Sequence, residues 1–124
     1  MYNECLMSNL VNTPIDLRDR TLDFSRDIVR FLKSLPKDEL ARPLSSQLIR
    51  SATSIGANFI EAKNASSKRD FRNKVFISKK EASETFYWLQ LFEELSQSSE
   101  LTNLQSECRQ IILILQKIIT TLDH

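Results

Sequence analysis

Residues 49–62 read IRSATSIGANFIEA, and this stretch decides the fold. Arg50, Ser51, Ser54, Asn58 and Glu61 recur at spacings of three, four and seven, so most of them share one flank of a helix. Apolar Ile49, Ala52, Ile55, Ala57, Phe59 and Ile60 fill much of the remainder. A helix with both features is packed on more than one side, with a polar seam at or near a contact. Gly56 is the only glycine of the chain and falls mid-helix. It costs about 1 kcal/mol of helix propensity against Ala, so its expected role is close approach of a neighbouring helix.

Outward from this stretch, punctuation marks four helical segments. The first is expected over 14–35, opening where Thr13 can cap and Pro14 suits the first helical position. Leu17, Phe24, Ile28, Phe31, Leu32 and Leu35 recur at helical spacing along it, and Pro36 ends it. Pro43 opens the second, over 43–63. Ser67-Lys68-Arg69-Asp70 resembles a capping box with Asp for the usual Glu, which starts the third over 68–96. The fourth, 99–122 with Ser99 as its cap, carries an apolar stripe from Leu101 to Leu122. Short loops between long helices predict an all-α, antiparallel up-down-up-down four-helix bundle, with residues 1–13 as a flexible N-terminal arm.

Composition bounds the rest. One Gly and three Pro among 124 residues disfavour a turn-rich β or α/β chain. Net charge is +1, so any electrostatic footprint must be local. Cys5 and Cys108 lie too far apart for a disulfide framework or a metal spacing, and a reducing cytoplasm is expected. The opening MYNECLMSNL lacks a charged region followed by an apolar run, so no signal peptide is expected. No stretch approaches the ~20 apolar residues of a membrane span.

The third segment is apolar nearly all round. Advancing ~100° per residue, Phe71, Val75, Ser78, Ala82, Phe86, Leu89 and Phe92 cluster as the core stripe. Phe76, Ile77, Tyr87, Trp88, Leu91 and Leu95 form a second group. It either lies under the N-terminal arm or forms a subunit interface, for which Trp and Tyr are favoured anchors. The charge is segregated too. Residues 63–80 hold seven Lys and Arg against Asp70 alone, and residues 81–100 hold five Glu and no cation. Lys68, Arg69, Arg72, Lys79 and Lys80 fall within about 120° of arc. They are a solvated face or a basic surface that follows phosphates.

Catalytic and metal inventories are empty. The one histidine, His124, is terminal, and no nucleophile–His set or cluster of metal ligands assembles around it. A Gly-rich phosphate loop is absent. Arg50 and Glu61 stand about 16 Å apart along one helix, so they cannot act as a pair and are expected to bond to other helices. No enzyme, cofactor or small-molecule substrate is expected.

Gln47-Leu48-Ile49-Arg50-Ser51-Ala52-x-Ser54-Ile55-x-Ala57-Asn58-x-x-Glu61-Ala62 resembles the signature of the 23S rRNA intervening sequence protein family. Leu35-Pro36-Lys37-x-Glu39 and Arg69-x-Phe71 match in order and spacing. The resemblance implies a cytoplasmic bacterial four-helix protein that assembles as a ring, typically a pentamer. It also implies kinship with the accessory variability determinants of diversity-generating retroelements, basic pentamers that bind a reverse transcriptase and its template RNA. Two features depart from the pattern: Ala62 stands where Gly is common, and the charge is near neutral. The expectation is a homo-oligomer that binds RNA, DNA or a nucleic-acid enzyme through Lys68, Arg69, Arg72, Lys79 and Lys80. The alternative is a purely structural interaction module. Arg50, Ser54, Gly56, Asn58 and Glu61 are its expected architectural motif.

Overall fold

The computed structural model describes residues 16–124. Four long helices follow one another: α1 (Leu17–Ser34), α2 (Ala41–Lys63), α3 (Lys68–Leu91) and α4 (Ser99–Leu122). A 3-10 turn, Phe92–Glu94, continues α3, and no strand forms among the described residues. Each helix packs on the next, α1 also packs on α4, and the most extensive contact joins α2 to α3.

The helix ends show what the local sequence decides. Asp16 caps α1, its carboxylate accepting the Arg18 N–H at 3.1 Å. The helix therefore begins at Leu17 rather than at 14; Thr13, Pro14 and the arm over 1–13 lie outside the described residues. Leu35, held extended by the following Pro36, ends α1. α2 begins two residues earlier than Pro43, because the Asp38 carboxylate accepts the Leu40 N–H at 2.7 Å and folds the loop into the first turn. Pro43 is tolerated there, where no N–H is required. Ser67 caps α3 by accepting the Asp70 N–H at 3.0 Å, while the Asp70 carboxylate reaches back to the Ser66 N–H at 3.3 Å. Ser98, not Ser99, caps α4, accepting the Leu101 N–H at 3.2 Å.

α3 ends at Leu91 rather than 96. The chain tightens into the 3-10 turn and buries Phe92, whose ring meets Phe31 edge-on at 5.8 Å. The core stripe of α3 is buried as expected except for Phe86, which is half-buried; Thr85 is buried beside it. Leu17, Phe24, Ile28, Phe31, Leu48, Phe59, Leu104, Ile111 and Leu115 are among the residues of the other helices that fill the core with it.

Small and polar residues set how closely the helices approach. A Cβ on Gly56 would stand 2.9 Å from the Thr21 hydroxyl and 3.3 Å from its Cβ, so α1 crosses α2 where a side chain is missing. Between α2 and α3 the contact is made by hydroxyls. Ser78 donates to the Ile55 carbonyl at 2.8 Å, and Thr85 donates to Ser51 at 2.9 Å, which donates on to the Leu48 carbonyl at 3.2 Å. Every buried side-chain nitrogen and oxygen among the described residues has a partner. These hydroxyls are therefore compatible with a dry interior, which charges nothing for a polar group that is paired.

Candidate nucleic-acid interface

The cations of residues 63–80 sort into two sets. Three are held by carboxylates. Lys63 bonds Asp16 at 2.9 Å, Lys74 approaches Glu61 at 3.4 Å, and Arg72 grips Asp123 with both ends of its fork, at 2.7 and 3.0 Å. Arg72 holds the Asp123 carboxyl below the usual carboxylate range. Lys68, Arg69, Lys79 and Lys80 form no ion pair among the described residues. Lys68, Arg69 and Lys80 are exposed, and Lys79 is half-buried.

These residues do not form one uniform patch. Arg72 turns toward the end of α4, where Asp123 takes up its charge. Lys79 lies within about 20° of arc of Phe86 on the same side of α3. There α4 supplies a further cation: the Arg109 guanidinium sits 4.9 Å over the Phe86 ring. Arg109 was not legible as part of this surface, because nothing in the sequence aligns α4 with α3. Arg69 and Lys80 point outward, in line with Phe76 and Tyr87.

The second apolar group divides as well. Trp88 and Leu95 are half-buried and pack against the core. The Trp88 indole N–H donates to the Glu84 carboxylate at 3.0 Å. Phe76, Ile77, Tyr87 and Leu91 remain exposed.

The acidic half of α3 is tied to α2. Arg50 donates to Glu81 at 3.3 Å and also to Glu84. Glu84 is held below the usual carboxylate range, first by the Trp88 N–H and then by Arg50. The folded-state pKa of Glu84 is depressed, so its contribution to stability is present above the ordinary carboxylate range. It is lost as pH falls through the folded value. The pair is largely exposed, which keeps that contribution small.

The remaining motif residues act more locally. Ser54 donates to the Arg50 carbonyl and Asn58 to the Ser54 carbonyl, both within α2. Asn58 therefore bonds its own helix, where the sequence placed it in a polar seam at or near a helix contact. Glu61 does meet α3, through Lys74. Burial pushes the Cys108 thiol up to about 12, and its Sγ donates to the Ala82 carbonyl at 3.3 Å. No group of three or more His, Cys, Asp or Glu able to hold a metal ion occurs among the described residues. No helix among them is long and apolar enough to cross a membrane.

The class defined by these features is a small all-α helical-bundle protein, with a cationic face on α3 of which Arg69, Lys79 and Lys80 form no ion pair among the described residues. Its sequence matches the family described as 23S rRNA-intervening sequence protein over residues 15–117, and the chain belongs to that family. It is also similar to a crystal structure of a protein of unknown function from the S23 ribosomal protein family of Bacteroides thetaiotaomicron. The two are 38% identical, with a TM-score of 0.77, over 84% of this chain and 98% of that one. No curated protein matches the chain.

Proposed function

We propose that the chain is a non-catalytic, cytoplasmic homo-oligomer of up-down-up-down bundles that binds nucleic acid through the cationic face of α3, with Arg109 of α4 beside it. The observation that carries this reading is the set of cations without carboxylate partners. α3 groups Lys68, Arg69, Lys79 and Lys80 along its first half, none of them in an ion pair among the described residues, whereas the other described cations without an ion pair, Lys33, Lys37, Arg42, Arg109 and Lys117, are scattered over α1, α2, α4 and the loop after α1. Cations left unneutralised at close spacing are what a polyphosphate strand requires. The family resemblance adds a pentameric ring, which would repeat the face around an axis, and a reverse transcriptase as the kind of nucleic-acid enzyme it could serve.

The test is binding of oligonucleotides measured across a salt series. A wild type without salt-dependent binding sinks the nucleic-acid reading. Asp123→Asn sharpens the test. It removes the charge that engages Arg72, so affinity is expected to rise several-fold and the logarithmic salt slope to steepen by about 0.7–0.9.

A second reading, a purely structural interaction module, is favoured by the exposed Ile77 and Leu91 and by a groove between α1 and α2. That groove, of about 280 Å³, is lined by Leu22, Gly56, Ala57 and Ile60 among others. Both readings expect self-association. Light scattering is therefore expected to show an oligomer at micromolar concentration for the wild type and a smaller species for Leu91→Glu. A monomeric wild type overturns the oligomer in both.

A further inference from the structure

Four exposed side chains of α3 stand in one line. Advancing ~100° per residue, Arg69, Phe76, Lys80 and Tyr87 fall within about 40° of arc, with Asn73 and Ser83 on either flank. Along the axis they are separated by about 10, 6 and 10 Å, a track of roughly 27 Å that alternates cation, ring, cation, ring. Phe76 is 43% and Tyr87 59% exposed, large values for aromatic side chains on a helix. Tyr87 is braced edge-on by Trp88 at 5.1 Å, and Trp88 is fixed in turn by Glu84. Arg69 and Lys80 form no ion pair among the described residues.

The alternation decides what fits. A second protein surface that covered both rings would also bury Arg69 and Lys80, and would have to bring a carboxylate to each of them. Desolvating such charges is costly, and lysine is depleted from the centres of protein contacts. A nucleic-acid duplex supplies phosphates but keeps its base faces stacked inside, so it leaves both rings idle. An unpaired strand supplies a phosphate for each cation and a base face for each ring.

We infer that this stripe is a single-strand track: bases stack on Phe76 and Tyr87, and phosphates pair with Arg69 and Lys80. The inference rests on the nucleic-acid reading above and narrows it to strands with unpaired bases. Asn73 and Ser83, on the flanks, add uncharged hydrogen-bonding groups within reach of the sugar and phosphate.

The experiment is fluorescence anisotropy with labelled oligo-U RNA, oligo-T DNA and a duplex of matched length, each across a KCl series. Single strands are expected to bind more tightly than the duplex. Phe76→Ala and Tyr87→Ala are each expected to weaken single-strand binding by about fivefold to 150-fold, leaving the salt slope and duplex binding unchanged. Tyr87→Phe, which keeps the ring, restores binding. Lys80→Ala shows the opposite signature, lowering the single-strand salt slope by about 0.7. Duplex binding equal to single-strand binding, with both alanine variants unaffected, overturns the inference and leaves the broader reading standing. A change of oligomeric state in Phe76→Ala or Tyr87→Ala overturns it in favour of a subunit contact. Absence of salt-dependent binding to any of the three probes overturns both readings.

Discussion

Reversing Arg69, Lys79 and Lys80 to Glu in one variant is expected to abolish nucleic-acid binding while leaving the bundle folded. Each of the three lacks an ion pair among the described residues, so no internal bond is broken by the change. Arg72 is left in place because its fork is engaged by Asp123. Losing three phosphate contacts removes about two from the logarithmic salt slope on a single strand, and the added negative charges repel the phosphates that remain. The affinity loss is therefore expected to be a hundredfold or more at low salt, roughly the scale on which such contacts set non-specific affinity. Circular dichroism should give the wild-type melting curve within a few degrees. A triple variant that binds as the wild type does shows that the ligand surface lies elsewhere.

The second large effect lies inside the bundle. Gly56→Val is expected to destabilise the fold by about 1–3 kcal/mol, the usual cost of overpacking. In a domain of this size that is a fall of roughly 5–15 °C in Tm. A Cβ at this position meets the Thr21 hydroxyl at 2.9 Å, and that hydroxyl is itself tied to the Arg18 carbonyl at 3.0 Å, so it cannot simply swing away. Two further methyl carbons would have to enter the same contact. The favourable part of the change, replacing a helical glycine, is worth only about 1 kcal/mol. Coupling to Thr21 gives the contact its signature: Gly56→Ala should cost less in a Thr21→Ala background than alone. Gly56→Val with an unchanged Tm is the result that rejects the close approach.

Helix existence and the core stripes were readable because they depend on spacing along one chain. The cap at Ser67 was legible for the same reason, and so was the stop at Pro36. What lay beyond reach depends on the register between helices. Arg109 over Phe86, the Arg72–Asp123 pair and the Glu84–Trp88 bond each follow from how one turn sits beside another. Trp88 shows the difference well. Its helical position made it an interface anchor, yet it is half-buried against the core, with its N–H taken up by Glu84. Asn58 erred in the other direction, because a side-chain amide four residues from a carbonyl of its own helix finds that partner first. Ser51 was read in the seam and Ser78 in the stripe, but Thr85 in neither, and the partners of these buried hydroxyls, and therefore the closeness of α2 and α3, required the fold.

Trp88 is the only tryptophan in the chain. Its ring touches Tyr87 and its N–H rests on Glu84, which Arg50 also grips. The protein thus carries one native indole, set directly behind the outermost ring of α3 and in front of the seam to α2. Its emission reports on both surfaces from a single position: a shift on adding a ligand marks events at Tyr87, and a shift on acidification marks the release of Glu84. Unlabelled protein is therefore its own optical probe, with no second indole to blur the signal.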